Sequence, residues 1–388
     1  MTRPSHVAVD LAAIAHNAAL LTEEAGGAQL CAVVKADGYG HGSVAAARAA
    51  LSGGASMLGV ASVEEALTLR KAGVDAPIMA LGPQPADSTH DAVRHDVQLV
   101  VCSATDIAHA GQAASAAGRP ARLHLKVDTG MRRVGADPAD AVPLLRTIRT
   151  TPGVEAEGVC THFARADEPG VVTTDEQLER FVELVAELTS QGLRPPVVHA
   201  ANSAATLAHA ATRFDLVRCG IALYGLAPSP ELADVPSVRR LRPALRVLSA
   251  VSFVKEVPAG QGVSYGHRFV TGRPSVLATV PIGYGDGVPR RLGLTGGEAL
   301  VGGVRRPIAG VVTMDQLVLD CTDGSPVRVG DEVVLLGAQR GGAADAGDAI
   351  GAWEWADRLD TIAYEIVTCL GPRLPRRHAE VVAPPSES

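Results

Sequence analysis

The chain has 388 residues, with 35 basic and 42 acidic side chains and a formal net charge of −7. This length predicts two or three domains, or one barrel of about 250 residues joined to a smaller domain. The acidic balance, without any run of lysines and arginines, argues against nucleic acid and membrane surfaces as partners, whereas a small anionic substrate stays open.

The N-terminal segment and the cysteines indicate where the protein works. Asp10 and His16 stand where a secretory signal needs an uninterrupted apolar run, so we predict an amphipathic helix and no targeting segment. Residues 195–212 are uncharged but carry His, Asn, Ser and Thr, so we expect no membrane span. Scattered cysteines without a CxxC pair favour buried, reduced thiols over disulfides or zinc, and predict a cytoplasmic protein without a bound metal. They are Cys31, Cys102, Cys160, Cys219, Cys321 and Cys369.

From Cys31 onward, short apolar runs alternate with Ala-rich helical patterns. Eight such runs predict parallel strands covered on both faces and closed into a (β/α) barrel, with an open doubly wound sheet as the structural alternative. One intervening helix is predicted to begin with hydroxyl caps at Thr173 and to stop at Gly192. The eight runs lie at residues 31–35, 57–62, 76–81, 97–102, 122–129, 154–163, 197–203 and 216–225.

A Pro-rich, polar segment from Pro228 to Pro236 marks a change of pattern. The sequence after it is strand-like, with Gly-rich turns. The predicted fold is therefore α/β: an eight-stranded parallel (β/α) barrel over residues 1–235, followed by a smaller, mostly β domain over residues 236–375. Residues 376–388 would form a tail, whose final PPSES we expect to be disordered.

Reactive side chains at the carboxyl ends of barrel strands are the candidates for catalysis. Lys35 ends the first run, where desolvation would lower its pKa from about 10.4 toward that of a nucleophile or base; a lysine reaching solvent is the equally weighted alternative. Ser203 and the main chain of Gly220 and Ile221 offer neutral donors late in the barrel, where a phosphate is frequently held. A phosphate site beside such a lysine suggests pyridoxal phosphate. The other strand ends carry Lys126, Asp128, Arg133, His162 and Arg218.

Nine segments in order resemble the bacterial alanine racemases, and they cover nearly the whole chain, from about Asp10 to Pro372. Any one motif could arise by chance, whereas nine in this order are specific. The resemblance implies an isomerase that interconverts L- and D-alanine with pyridoxal 5'-phosphate and supplies D-alanine for peptidoglycan. The segments are AVVKADGYGHG, KVDTGMRRVG, THFARAD, HAANSAA, VRCGIALYGL, SYGHRF, VPIGYGDG, MDQ and TIAYE.

The resemblance implies two catalytic bases. Lys35 would be the Schiff-base lysine and the base on one face of the substrate, and Tyr265 would be the base on the other. Racemisation needs both, because a proton leaves one face of a planar carbanion and another arrives on the opposite face. In the family, the β domain of one subunit covers the barrel mouth of the other. The resemblance therefore implies a homodimer whose composite sites take Lys35 from one chain and Tyr265 from its partner.

The cofactor contacts also follow from the resemblance. Arg218 would face the pyridine nitrogen and keep it unprotonated, and His162 would lie between Arg218 and the Tyr265 hydroxyl. His199 would neighbour the ring without an assigned role. The phosphate would be held by Tyr39, Ser203, Gly220, Ile221 and Tyr364.

The substrate contacts lie in both domains. Arg133 and the backbone at Met314 would bind the substrate carboxylate, and a carbamylated Lys126 would orient Arg133. Asp315 would be a hydrogen-bond partner in the substrate mouth. The substrate channel would be narrowed by Tyr284 and Tyr364.

Three positions depart from the family pattern and bear on substrate range. Arg132 stands where Gly is common, Thr313 where Cys or Ser is usual, and Ala363 where Asn is common. The enzyme alternative is a broader alanine/serine racemase of the same fold, and the alternative of another class is a non-enzymatic pyridoxal phosphate-binding barrel. A metal-dependent barrel hydrolase is disfavoured because the first strand lacks an HxH pair.

Overall fold

The computed structural model describes residues 3–339 and 349–379. They belong to two compact units, Ala12–Arg242 and the combination of Met1–Leu11 with Pro243–Ser388. The first element is strand β1 (His6–Asp10), where the sequence predicted a helix. HVAVD alternates buried and half-buried residues with the period of a strand, and helix α1 (Leu11–Glu24) begins only after it.

The first unit contains a closed barrel of eight parallel strands, each paired with the next and the last paired with the first. The predicted barrel is therefore confirmed, and the open sheet is wrong. Five of the side chains that fill the interior form one apolar cluster, Cys31, Met57, Met79, Val100 and Leu216. The strands are β2 (Gln29–Val33), β3 (Met57–Val60), β4 (Ile78–Ala80), β5 (Val97–Val101), β6 (Ala121–Lys126), β7 (Val154–Cys160), β8 (Val197–His199) and β9 (Leu216–Cys219).

Helices connect these strands. The helix predicted after the sixth strand runs from Thr173 to Ser190, and Gly192, with φ of 66°, follows its end. Its N-cap is Val172, so the predicted hydroxyl cap does not form; both threonines lie inside the first turn. The helices after α1 are α2 (Lys35–Tyr39), α3 (Ser43–Ser52), α4 (Val63–Lys71), α5 (Ala86–Arg94), α6 (Ala104–Ala117), α7 (Ala141–Thr150), α8 (Thr173–Ser190), α9 (Ser203–Ala208) and α10 (Pro236–Arg239).

The second unit is mostly β, as predicted. Its largest sheet follows the order β16-β15-β18-β10-β1-β20, with β19 beside β18; β11, β14 and β17 form a three-stranded sheet, and β12 pairs with β13. These strands are β10 (Leu245–Ala250), β11 (Phe253–Val257), β12 (Gly262–Val263), β13 (Phe269–Val270), β14 (Ser275–Val280), β15 (Glu298–Val301), β16 (Val304–Pro307), β17 (Leu317–Asp320), β18 (Glu332–Ala338), β19 (Ala349–Ile350) and β20 (Arg376–Ala379), with helices α11 (Ala352–Leu359) and α12 (Ala363–Thr368).

The division of the chain differs from the predicted one at three points. β1 pairs antiparallel with β10 and parallel with β20, so the first residues belong to the β unit and not to the barrel. The same pairing makes residues 376–379 a strand and not part of a tail. The break between the units lies between Arg242 and Pro243 instead of near residue 235. The PPSES tail lies outside the described residues.

Within the described ranges, no helix has the length and apolar character needed to cross a membrane.

Candidate active site

Lys35 begins α2, directly after the first barrel strand, and the backbone that follows it is unusual. Residues 36–39 all have φ between 50° and 62°, in the left-handed region, and only Gly38 among them is a glycine. Each non-glycine residue costs about 1–2 kcal/mol in this conformation. The carboxylate of Glu65 accepts the backbone N–H groups of Ala36 and Ala61, each at 2.7 Å. The structure thus shows a strained turn, of the kind that collects at functional sites.

Lys35 is half-buried, and charges of both signs lie near its amine. Burial lowers the pKa of Lys35 below its usual value, and the charge of Arg133 lowers it further, while Glu65 opposes the change. A lowered pKa increases the fraction of neutral amine at neutral pH. Lys35 is therefore suited to act as a nucleophile or a base.

Three predicted residues, Lys126, Arg133 and His162, line one pocket of the barrel unit, together with Thr161 and Met131. Burial lowers the pKa of the Lys126 amine, and the charges of Arg218 and Arg133 act in the same direction. Asp128 also lines this pocket, so a carboxylate lies among its basic groups.

The four barrel residues predicted around a phosphate converge. Ser203 Oγ accepts the N–H of Gly220 at 2.9 Å and that of Ala222 at 3.4 Å. A Cβ on Gly220 would lie 2.4 Å from the Tyr39 hydroxyl, so only glycine permits this approach. Ile221 follows directly and opens a 3-10 turn, Ile221–Tyr224. The result is a neutral cradle of hydroxyl and backbone N–H groups.

Arg218 is only 7% exposed, and acceptors without a formal charge surround it. Its guanidinium donates to His199 Nδ1 at 2.8 Å, to the Thr161 carbonyl at 2.8 Å and to the Ala200 carbonyl at 3.0 Å, and lies 3.3 Å from His162 Nδ1. Burial, followed by the charge of Arg218, holds the pKa of His162 well below its usual value. The Arg218 guanidinium thus lies beside a His162 imidazole that favours its neutral form.

Two residues that the sequence analysis did not select extend this cluster. His124 lies between His199 and Gln98 inside the barrel, hydrogen bonded to both. The sequence contains a feature that could have identified them: Gln98 in VQLVV and His124 in RLHLK are polar residues inside apolar strands.

The remaining predicted residues lie in the β unit. Tyr265 opens the 3-10 turn Tyr265–His267 and is 74% exposed. Ser264, before it, has φ of 61° and donates its hydroxyl to the Val311 carbonyl at 3.0 Å, which fixes the strained backbone that projects Tyr265. Tyr284 and Met314 are also exposed.

Two family matches cover almost the entire chain. Residues 9–228 match the alanine racemase N-terminal domain, and residues 244–378 match the alanine racemase C-terminal domain. The chain belongs to the alanine racemase family. This confirms the resemblance found in the sequence.

Individual relatives agree over their full lengths. Alanine racemase of Thermobifida fusca is 48% identical, covering 96% of this chain and 98% of that protein, and that of Mycobacterium avium is 43% identical, covering 96% and 94%. The crystal structure of alanine racemase from Streptomyces lavendulae is similar with a TM-score of 0.89 at 42% identity, covering 98% of each chain. That of the Bacillus anthracis alanine racemase with bound L-Ala-P has a TM-score of 0.89 at 39% identity, covering 98% of this chain and 96% of that chain.

Arg132 departs from the alanine racemase pattern at a position whose backbone explains it. Its φ is 56°, a conformation that glycine adopts without cost. The Asp128 carboxylate accepts the N–H of Arg132 at 3.1 Å and that of Gly130 at 2.9 Å, so the loop that carries Arg133 keeps its shape without glycine.

The other two departures are part of local structure. The Thr313 hydroxyl donates to the Gln316 carbonyl at 2.7 Å, and its own carbonyl accepts the N–H of Tyr284. Ala363 is fully buried at the start of α12. Tyr364, next in that helix, belongs to the β unit, so its phosphate contact stays a prediction.

A buried carboxylate holds the part of the β unit that carries Tyr284, Met314 and Asp315. Asp286 is fully buried and accepts two bonds from Arg3, at 2.6 and 2.5 Å, and the N–H of Gly283 at 2.9 Å. Arg373 Nε lies 3.2 Å from it, and the other end of that guanidinium donates to Asp315 at 2.6 Å. The Met314 carbonyl accepts the N–H of Gly285 in the same turn.

Replacing Asp286 with asparagine should lower the free energy of unfolding by about 2–4 kcal/mol, because a buried acceptor of charged donors loses its charge. Urea unfolding of the β unit measures this. The control is Asp323→Asn, which removes an exposed partner of Arg273 and should cause no measurable change. Equal stabilities of the two variants would show that the buried carboxylate of Asp286 does not stabilise the β unit.

Proposed function

We propose that this protein interconverts L- and D-alanine with pyridoxal 5'-phosphate by a two-base mechanism. The observation that carries the proposal is the grouping, within one barrel, of a lysine with a lowered pKa, a neutral phosphate cradle and a buried arginine that has no acidic partner among the described residues.

The barrel residues fit the cofactor. Tyr39 lies so close to Gly220 that a Cβ at position 220 would not fit. Backbone N–H groups and hydroxyls lie together there, as they do around bound phosphates. Tyr39, Ser203, Gly220 and Ile221 would hold the phosphate, with Tyr364 as a further donor. Lys35 would attach the cofactor.

Bound pyridoxal phosphate withdraws electrons from the substrate α-carbon and makes its Cα–H bond acidic. Arg218 would face the pyridine nitrogen and would disfavour its protonation, because a cation disfavours a second cation beside it. Arg133 and the backbone N–H of Met314 hold the substrate carboxylate. Lys35 Nζ moves a proton on one face of the α-carbon, and the Tyr265 hydroxyl moves one on the other.

Lys126 has a supporting role in this proposal. Its lowered pKa favours the neutral amine, which is the form that combines with carbon dioxide to give a carbamate. A carbamate on Lys126 would supply an anion that orients Arg133.

We further propose a homodimer with composite sites. The exposure of Tyr265, together with that of Tyr284, Met314 and Ile362, supports a surface that a second copy covers. Free cysteines support a reducing compartment, so we place the enzyme in the cytoplasm, where its D-alanine would enter peptidoglycan synthesis.

The purified protein with added pyridoxal phosphate should convert L-alanine to D-alanine. Chiral chromatography of the product measures this conversion. If Tyr284 and Tyr364 narrow the channel, serine should react poorly and leucine or lysine hardly at all. A kcat/KM for lysine comparable with that for alanine would favour the broad-specificity racemase. Absence of turnover in a cofactor-loaded protein would favour the non-enzymatic binding barrel.

A further inference from the structure

A line of hydrogen bonds crosses the barrel interior behind Arg218. Arg218 donates to Nδ1 of His199; Nε2 of that ring lies 3.0 Å from Nδ1 of His124, and Nε2 of His124 lies 2.7 Å from Oε1 of Gln98. All four side chains are buried. We call these four residues the interior network. Barrel interiors are normally filled by apolar side chains, and burying polar groups costs free energy unless each finds a partner.

The network has one consistent arrangement of protons. A guanidinium only donates, so His199 Nδ1 accepts and its Nε2 carries the proton. That proton is donated to His124 Nδ1, so His124 is also protonated at Nε2 and donates to Gln98. A second proton on either ring would place an N–H group opposite another hydrogen-bond donor. Burial and the charge of Arg218 agree with this: they lower the pKa of His124 to about 3 and that of His199 well below its usual value.

The neighbouring strand is shaped around His124. A Cβ on Gly158 would lie 2.2 Å from His124 Nδ1, so a side chain there would displace the ring. The pairing of β6 with β7 shifts register between Leu123 and His124. The backbone therefore reserves space for an imidazole at this point.

We propose that Gln98 and His124 are positioning residues for Arg218. Together they hold His199 in the tautomer whose Nδ1 accepts from Arg218, which fixes the guanidinium and leaves it the single charged group of the network. The proposal rests on the proposed function only in its last step, where Arg218 faces the pyridine nitrogen and restrains its protonation.

The tautomers are tested on protein prepared without cofactor, labelled with ¹⁵N in the histidine rings. Long-range ¹H–¹⁵N correlation spectra should show both rings protonated at Nε2 alone between about pH 5 and pH 8, the range in which an ordinary histidine titrates. Loss of single signals in His124→Asn and His199→Asn assigns them. A proton on Nδ1 of either ring overturns the proposal.

The consequence for Arg218 is tested by Gln98→Glu. A carboxylate facing Nε2 favours a doubly protonated His124, whose new Nδ1 proton opposes the Nε2 proton of His199. The His124 Nδ1 signal should become protonated, and kcat for alanine should fall about tenfold or more with little change in KM, the size typical of groups that orient a ligating side chain. Gln98→Met, which adds no charge, should lose less.

The matched control is His95→Gln, at an exposed position beyond α5, which should remove only the signals of its own ring and leave those of His124 and His199, and kcat, unchanged. If Gln98→Glu keeps kcat within twofold of the unchanged protein, the positioning role is refuted although racemisation persists. If the unchanged protein racemises no amino acid, the proposed function fails, and the spectra of the cofactor-free protein still decide the tautomers.

Discussion

Replacing Lys35 with alanine should lower the rate of alanine racemisation at least about 10³-fold, because the variant loses the proposed base and the amine proposed to attach the cofactor. Phosphate binding should persist in part, since the proposed phosphate contacts of Tyr39, Ser203 and Gly220 do not involve Lys35. The loss of activity should therefore appear in kcat. Circular dichroism should show that the barrel of the variant is folded. Chiral analysis of the product measures it.

A control variant and a labelling experiment test whether the loss of activity is specific to Lys35. Lys71→Ala changes an exposed lysine at the end of α4 and should leave the rate unchanged. After borohydride treatment, the unchanged protein should retain the cofactor on the peptide that contains Lys35, identified by mass spectrometry. Racemase activity of Lys35→Ala without an added amine would show that another residue is the base.

The barrel was predictable because its strands are buried on both faces. Parallel strands covered on both sides are continuous apolar runs, so eight of them stand out between helical patterns. The end of the first such run also marks Lys35 as a candidate reactive residue without any family resemblance. Other catalytic roles, such as that of Tyr265, follow only from the family resemblance, because apolar runs and their ends do not indicate them.

Other features depend on contacts between distant parts of the chain. HVAVD is a strand because β10 and β20 lie on either side of it, and nothing within ten residues indicates those partners. The left-handed conformation of residues 36–39 is stabilised by Glu65, almost thirty residues away. In the sequence His124 is one polar residue of an apolar run, and its partners, Gln98 and His199, lie on other strands.

The units that carry the two proposed bases permit a direct test of assembly. Lys35 belongs to the barrel unit and Tyr265 to the β unit, and Tyr265 is 74% exposed in the single chain. We expect Lys35→Ala and Tyr265→Phe each to be nearly inactive as separate homodimers, since loss of one general base typically costs about 10²–10⁴-fold.

Mixing equal amounts of these two variants, with dissociation and reassociation, should restore activity. In the proposed homodimer, random reassortment would make half of the dimers mixed, and each mixed dimer would have one site with Lys35 from the Tyr265→Phe chain and Tyr265 from the Lys35→Ala chain. Its other site carries both defects. Activity should therefore return to roughly a quarter of that of the unchanged protein. Each variant taken alone through the same treatment is the control and should stay inactive. If both bases came from one chain, every site would keep a defect and mixing would restore nothing.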